Sequence, residues 1–264
     1  MPRQIITGID EKEGARYALI CGDPERVPKI ASRLSGGRQI RQIREFNIFS
    51  GMINRARVNV ASTGIGGPST AILMEEMANT GTDTFIRVGT SGGLDERLRK
   101  GDLVITTAAF RKDGTSRSYV PDNFPAAAHH NVVSALEESA ARLGYSYQSG
   151  VTMSVDGFYS ENRILEGRRT KSMSHSGFIL SGMEDNLSDA KKLGVRNIEM
   201  EMGTVLTLTT LWGMRGGGVC LVSDVAPWRE TEEIIDAETG MERCIEVAVE
   251  ALRKIIESDI RTHR

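Results

Sequence analysis

Short apolar runs with strand character alternate with helical patterns along this chain, and several of the runs end in glycine. The runs are Ala18–Cys21, Val58–Ser62, Thr84–Val88, Leu103–Ala109 and Gly218–Val222. The helical patterns are Pro28–Leu34, Ser69–Thr80, His130–Leu143, Thr204–Leu211 and Met241–Ile256. Such alternation predicts a largely parallel or mixed sheet that helices cover on both faces. Ligands of these sheets usually bind beyond the carboxyl ends of strands, where the glycine turns of this chain fall.

Three of the predicted strand ends combine glycine with a nearby arginine. They are Gly22-Asp23-Pro24-Glu25-Arg26, the stretch from Arg55 to Gly67, and Arg87-Val88-Gly89-Thr90. Glycine lets the backbone come close to a ligand, and exposed N–H groups at such turns suit an oxyanion. Arginine adds a permanent charge and a planar fork of donors that matches phosphate. The repeated combination predicts a site for a small phosphate-like anion.

Composition limits the classes of protein to which the chain can belong. Its 264 residues are 39% hydrophobic and 26% charged, with a formal net charge of -2. This balance suits a single α/β domain spanning residues 1–264, and it carries no electrostatic footprint for nucleic acid or an anionic membrane. The N-terminus has no signal-peptide core, and no stretch approaches the roughly 20 apolar residues that a membrane-spanning helix needs.

The cysteines and histidines do not form a recognisable metal or disulfide pattern. Cys21, Cys220 and Cys244 are far apart, odd in number and without a CxxC pair. A disulfide framework and a zinc site are therefore not expected, and a reducing cytoplasm is the predicted location. His129 and His130 have no further ligand at metal-binding spacing, so we interpret them as a helix start exposed to solvent.

Other glycine-based sites fit the sequence less well than an anion site does. The stretch Gly64–Ser69 supplies two glycines of a dinucleotide fingerprint, but Ser69 stands at the third glycine position, and Asp83 is a weak candidate for the acidic ribose contact. No Gly-Lys-Ser/Thr follows a glycine run, which excludes a Walker loop. Gly64-Ile65-Gly66 also lacks the serine of a hydrolase nucleophile elbow.

Two acidic clusters are candidates for contacts with a substrate. Glu199 and Glu201 flank Met200, and a carboxylate accepts well from a sugar diol while methionine packs on an apolar sugar face. Asp224 follows an apolar strand that ends at Val222, where partial burial raises the pKa of a carboxyl toward that of a general acid. An exposed acidic turn and a helix N-cap are the respective alternatives, and the residues alone leave both open.

Taken in order, these pieces resemble the nucleoside phosphorylase-I family, most closely its uridine phosphorylases, from about Gly14 to Ile255. The motifs that carry the likeness are Gly22-Asp23-Pro24-Glu25-Arg26-Val27, Arg44-Glu45-Phe46, Ser62-Thr63-Gly64-Ile65-Gly66-Gly67-Pro68-Ser69, Ile86-Arg87-Val88-Gly89-Thr90 and Glu199-Met200-Glu201. The resemblance implies a three-layer α/β/α subunit with a mixed central sheet, in a homohexamer built as a trimer of dimers. It also implies reversible phosphorolysis of uridine to uracil and ribose 1-phosphate, with phosphate as co-substrate and no cofactor.

The resemblance further implies roles for individual residues. Phosphate is expected to contact Gly22, Arg26, Arg87 and Thr90, together with Arg44 from the neighbouring subunit. The ribose is expected to contact Glu199, Met200 and Glu201. The base is expected to contact Phe158, Asn162, Arg163, Ser223 and Asp224. Two of these residues are candidates for catalysis, since Arg87 orients the phosphate nucleophile and Asp224 is placed to protonate the leaving base.

The base end departs from the uridine phosphorylase pattern. Asn162 and Ile164 stand where those enzymes typically carry the glutamine and arginine that read uracil, which leaves Arg163 as a candidate for the arginine. Asp224 is similar to the aspartate of purine nucleoside phosphorylases, and Gln4 stands near the place of a histidine expected at the ribose 5′-hydroxyl. The frame favours uridine, with purine nucleosides such as inosine and adenosine as the alternative.

Two further hypotheses compete with phosphorolysis. A nucleosidase that uses water would not need Arg26, Arg44 and Arg87, and a non-catalytic binder would not need Glu201 beside that set. Both are therefore disfavoured. Residues 168–189, rich in Ser, Gly, Lys and His, are predicted to form a mobile segment that could act as a lid.

Overall fold

The computed structural model describes residues 3–166, 169–179, 185–227 and 237–262. The strands are β1 Tyr17–Cys21, β2 Ser35–Ile43, β3 Phe46–Ile53, β4 Ala56–Ser62, β5 Thr84–Gly93, β6 Leu103–Arg111, β7 Tyr147–Ser154, β8 Arg163–Glu166, β9 Arg169–Ser172, β10 Asn197–Glu199 and β11 Arg215–Val225. The helices are α1 Arg26–Ala31, α2 Gly67–Asn79, α3 Gly114–Tyr119, α4 His130–Leu143, α5 Phe158–Glu161, α6 Asn186–Lys192, α7 Met202–Leu211 and α8 Ala237–Thr262.

All five predicted strands and all five predicted helices are present. The helix α4 has the predicted bounds, because His129 accepts the N–H of Asn131 at its start and Gly144 ends it in a left-handed conformation. The predicted helix Pro28–Leu34 is shifted, since α1 begins at Arg26 directly after the Asp23 turn. The strands β2, β3, β7, β8, β9 and β10 and the short helices α3, α5 and α6 were not predicted.

Nine strands form one mixed sheet in the order β10-β7-β6-β11-β5-β1-β4-β3-β2. The central strands β4, β1, β5 and β11 are parallel, whereas β6 runs antiparallel to β11, and β2, β3 and β4 form an antiparallel meander. The short strand β10 pairs with both β7 and β5, so β5, β11, β6, β7 and β10 close into a ring. The expectation of a mixed α/β sheet is confirmed.

Helices cover this sheet on two faces, as the alternation of buried side chains along its strands requires. In β1, Leu19 packs in a cluster with α1, α4 and α8, while its neighbours Ala18 and Ile20 pack in a second cluster with α2 and α7. In β5, Ile86 and Phe85 divide between the same two clusters. The architecture therefore has the three expected layers.

The parallel strands bring their carboxyl ends to one edge of the sheet. Ile20 of β1 lies beside Arg87 of β5, and Gly218 of β11 lies on the other side of Arg87. The loops after β1, β4 and β5 therefore meet at this edge, which is where ligands of such sheets bind.

Two other expectations concern parts of the chain away from this edge. The predicted lid, residues 168–189, lies partly outside the described residues, and its described part contains β9 and the beginning of α6. Within the described ranges, no helix combines the length and the apolar character that crossing a membrane requires.

Candidate active site

A cavity of about 470 Å³ opens at the carboxyl edge of the sheet. It brings together most of the residues that the sequence singled out: Gly22, Arg26, Arg87, Thr90, Phe158, Asn162, Glu199, Met200, Glu201, Ser223 and Asp224. These residues come from five separate segments of the chain, and the fold brings them together. Arg44 and Arg163 are not among the lining residues.

Arg87 is the centre of the charged part of the cavity. It is only 4% exposed, its Nε donates to Glu199 Oε2 at 3.0 Å, and its Nη2 donates to Glu201. Burial alone lowers the pKa of the guanidinium, but the charges of Glu201 and Glu199 outweigh that effect and hold the pKa above its ordinary value. Arg87 therefore keeps its charge at every relevant pH.

The backbone around Arg87 leaves room for its guanidinium. Residues two apart on a strand share a face, so Gly89 lies under the side chain of Arg87. A Cβ at Gly89 would lie 2.4 Å from Arg87 Nη1 and 2.7 Å from its Cζ. On the neighbouring strand, a Cβ at Gly218 would lie 3.1 Å from Arg87 Cβ. Gly89 therefore leaves the space that the guanidinium occupies, and Gly218 leaves space beside the start of the same side chain.

Arg26 adds a second guanidinium to the same end of the cavity. The turn after β1 places it at the first position of α1, and its Nη1 donates to the carbonyl oxygen of Val88 at 3.2 Å. Gly22 and Thr90 line the cavity beside it. Two arginines with a glycine turn and a hydroxyl form the arrangement expected for an oxyanion such as phosphate.

Glu199 is held by an unusually full set of donors at the start of α7. It accepts from the Ser154 hydroxyl at 2.5 Å, from the N–H of Glu201 at 2.8 Å and from the N–H of Met202 at 2.9 Å, besides Arg87. The carboxylate therefore satisfies backbone donors that the first turn of a helix leaves unpaired. These hydrogen bonds explain why Glu199 can be buried even when it makes no contact with a sugar.

Glu201 has fewer partners than Glu199 has. Its Oε1 accepts from the N–H of Gly66 at 2.5 Å, and its Oε2 accepts from Arg87. Gly66 has φ +91°, a conformation that favours glycine and that begins α2. Burial raises the pKa of Glu201 above its usual value, although the charge of Arg87 opposes that effect. Its position beside Met200 at the cavity wall fits a carboxylate that accepts sugar hydroxyls.

Another part of the cavity lining combines an aromatic ring with an amide and a carboxylate. Phe158 begins α5 and is 36% exposed, while the Asn162 side chain is buried and donates to the Phe158 carbonyl oxygen at 2.7 Å. The pairing of β11 with β5 shifts at Ser223, and Asp224 lies opposite Gly92. Ser223 donates to Asp224 Oδ2 at 2.8 Å. Such a bulge re-aims side chains, which explains how consecutive residues both reach the cavity.

Two predicted site residues lie elsewhere. Arg44 is exposed in the tight turn between β2 and β3 with φ 55°, and the neighbouring Glu45 lies against Gly64. Arg163 is buried and donates to the carbonyl oxygens of Ser160 and Asn162 at 2.7 and 2.9 Å. The structure therefore does not bring Arg163 to the cavity, and Arg44 lies on the surface of its own subunit.

Several lining residues were not assigned a substrate contact from the sequence: Asp23, Pro24, Gly64, Ile65, Ser91, Gly92, Val155 and Ile198. The first four lie within the glycine motifs that predicted the anion site, and Ser91 and Ile198 are direct neighbours of predicted residues. Ser154 was missed altogether, because a buried serine at a strand end has no distinctive sequence pattern.

Comparison with known proteins agrees with this geometry. The family model for the phosphorylase superfamily matches residues 16–257. A uridine phosphorylase of Thermococcus kodakarensis is 41% identical over 245 residues, which cover 93% of this chain and 84% of that protein. The uridine phosphorylase of Escherichia coli is 35% identical over 250 residues, covering 94% and 95%. A guanosine phosphorylase of Halorubrum lacusprofundi is 32% identical over 222 residues, covering 84% and 83%. With its cavity formed by the motifs that carry the likeness, this chain belongs to the phosphorylase superfamily.

Proposed function

We propose that this protein is a pentosyltransferase that cleaves uridine with phosphate. In this reaction a phosphate oxygen bonds to C1′ of the ribose as the bond from C1′ to the base breaks. The base leaves with the electron pair and takes up a proton, and the products are uracil and ribose 1-phosphate. The observation that carries the proposal is the buried Arg87, which lies in one cavity with a second arginine and a carboxylate suited to ribose.

Three groups of residues in the cavity would bind the phosphate, the ribose and the base respectively. Arg26, Arg87, Gly22 and Thr90 would hold the phosphate dianion, which stabilises the positive charge that develops on the sugar and then captures it. Glu201 would accept the ribose hydroxyls, with Met200 against the sugar. Phe158 would stack on the base. The chemistry needs phosphate as co-substrate and neither a metal nor an organic cofactor.

The proposal includes a homohexamer built from dimers, in which Arg44 completes the phosphate site of the neighbouring subunit. Two observations support it. Arg44 is exposed at a turn beside the Gly64 loop, and Ile65 at the cavity rim is 79% exposed, as a residue covered by another subunit would be. We also propose a cytoplasmic role in nucleoside catabolism and nucleotide salvage, since the reaction returns a free base and a sugar phosphate.

A purine nucleoside is the second candidate substrate, and Asp224 is the observation that favours it. Asp224 lines the cavity next to Ser223, and a carboxyl at this position can donate a proton to a leaving purine. One relative of this chain is named a guanosine phosphorylase. The relatives named uridine phosphorylases have higher identity, and we therefore propose uridine first.

Base release from uridine, thymidine, inosine and adenosine, each with and without phosphate, tests the proposal. We expect release from uridine to be fastest and to require phosphate. Faster release from inosine or adenosine would replace uridine by a purine nucleoside and make Asp224 the decisive residue. Release that is independent of phosphate would indicate a nucleosidase, and no release from any of the four would indicate a binding protein.

A further inference from the structure

Ser154 lies behind the cavity wall, where one hydroxyl group joins three parts of the fold. It is the last residue of β7, is fully buried and is not among the lining residues. Its Oγ donates to Glu199 Oε1 at 2.5 Å and accepts the N–H of Gly203 at 2.6 Å. Since Glu199 ends β10 and Gly203 lies in the first turn of α7, this hydroxyl connects β7, β10 and α7.

Glu199 has no acceptor capacity left for a substrate. A carboxylate offers about four lone-pair sites, and those of Glu199 are taken by Ser154, by the N–H groups of Glu201 and Met202, and by Arg87. Its side chain is 1% exposed. Glu199 is therefore a fixed anchor for Arg87 rather than a ligand of the ribose.

The anchor determines which donors of Arg87 remain for an anion. Glu199 accepts from Nε and Glu201 accepts from Nη2, so neither carboxylate engages Nη1. Rotation of the Glu199 carboxylate would release the Nε edge and let the guanidinium turn. The direction of Nη1 therefore depends on the Glu199 rotamer, and Ser154 is the side-chain hydroxyl that holds that rotamer.

We propose that Ser154 is a positioning residue for phosphate, acting through Glu199 on the guanidinium of Arg87. The inference rests on the proposed function, in which Arg87 binds phosphate. Without the Ser154 hydroxyl, Glu199 loses a charge-assisted hydrogen bond and the N–H of Gly203 loses its acceptor. The geometry of the phosphate site then loosens, while Met200 and Phe158 keep their proposed places at the sugar and the base.

The test compares two variants that each delete one buried hydroxyl of β7. Ser154→Ala removes the contact with Glu199, whereas Thr152→Val removes contacts with Asn197 and Thr106 and leaves Glu199 untouched. We expect Ser154→Ala to raise the Kd for inorganic phosphate, measured by calorimetry on the whole protein, roughly tenfold. The KM for phosphate should rise in parallel, while the KM for uridine, measured at saturating phosphate for each variant, changes less than about twofold. Thr152→Val should lower the unfolding midpoint but keep the phosphate Kd.

Further measurements distinguish a failure of the Ser154 inference from a failure of the proposed function. Ser154→Cys keeps nearly the same shape with a weaker donor, and we expect an intermediate phosphate Kd. An unchanged phosphate Kd in a folded Ser154→Ala or Ser154→Cys variant would overturn the inference, as would an equal rise in Thr152→Val or a parallel rise in both KM values. If the wild-type protein itself does not bind phosphate, the proposed function fails and the inference falls with it.

Discussion

Arg87 and Glu201 form a buried ion pair in the wall of the cavity, and the proposed reaction assigns the two groups to different substrates. In that reaction phosphate would bind the guanidinium, and the ribose hydroxyls would bind the carboxylate. A phosphate that shares the guanidinium would weaken the bond from Arg87 to Glu201, which would then accept more readily from the sugar. We therefore expect the pair to link the binding of the two substrates.

We expect phosphate to raise the affinity of the protein for uridine. Couplings between two sites typically change affinity about 5-fold to 150-fold and are reciprocal. The KM for uridine, measured in initial rates at a series of phosphate concentrations, should fall at least about fivefold from low to saturating phosphate. A KM for uridine that does not depend on phosphate would contradict the coupling.

Arg87→Ala should abolish phosphate-dependent turnover and also destabilise the fold. The substitution leaves Glu199 and Glu201 buried without their common counter-ion, and breaking a buried pair in this way typically costs about 3–5 kcal/mol. Urea unfolding followed by circular dichroism measures this loss. An Arg87→Ala variant of wild-type stability would show that the two carboxylates do not depend on Arg87.

Gly89→Ala should weaken phosphate binding while changing the stability of the fold only slightly. The added Cβ meets the far end of the Arg87 side chain, which can move, and the backbone of Gly89 does not have a positive φ. We expect a phosphate KM at least about tenfold higher, from the loss of a charge-assisted contact, with a small change in the unfolding midpoint. Gly92→Ala is the matched control, because its Cβ would meet Asp224 Oδ1 at 2.9 Å instead. An equal phosphate KM in the two variants would refute the role of Gly89.

Asp224→Asn should distinguish the two candidate bases. If Asp224 protonates a leaving purine, the amide removes the donor, and general acid catalysis typically contributes about 100-fold to 10,000-fold. We expect the rate on inosine to fall about a hundredfold or more and the rate on uridine to fall less than tenfold. Equal losses on the two nucleosides would leave Asp224 without a role specific to purines.

Protonation of His129 should make the folded protein less stable in mild acid. Burial, followed by the charges of His130 and Arg215, lowers the pKa of His129, and its neutral Nδ1 accepts the N–H of Asn131 at the start of α4. The folded state therefore binds a proton less readily than the unfolded chain, so this contribution is present above a pH of about 6.5 and is lost as the pH falls below it.

His129→Asn supplies the control for this pH dependence, since asparagine caps a helix without titrating. The N-cap contributes about 1 kcal/mol, so the wild-type free energy of unfolding should fall by up to that amount between pH 7 and pH 5. The variant should show a smaller fall over the same range. Identical pH profiles for the two proteins would exclude His129 as the source.

The two-residue repeat of a strand was enough to predict that Arg87 and Gly89 lie on the same face of β5. The glycine turns after β1 and β4 were recognisable because each follows a short apolar run. Parallel strands then bring those turns to one edge, so the meeting of Gly22, Arg26, Arg87 and Thr90 in one cavity was predictable from local patterns and general rules of sheet topology.

The parts of the cavity proposed to bind the sugar and the base depend on features that local sequence patterns do not reveal. Glu199 ends a strand of three residues that forms only because β7 and β5 lie on either side of it. The bulge at Ser223 interrupts an apolar strand without a glycine or proline to mark it. Arg163 was expected at the base from its position beside Asn162, but its guanidinium turns back to the carbonyl oxygens of its own loop.

The most direct test follows the products of uridine cleavage by ³¹P nuclear magnetic resonance, alongside the release of uracil. We expect no uracil above background without phosphate. With phosphate, we expect uracil and ribose 1-phosphate in equal amounts, and we expect the reaction to reverse when both products are supplied. Release of uracil without phosphate, with free ribose as the other product, would contradict the proposed phosphorolysis.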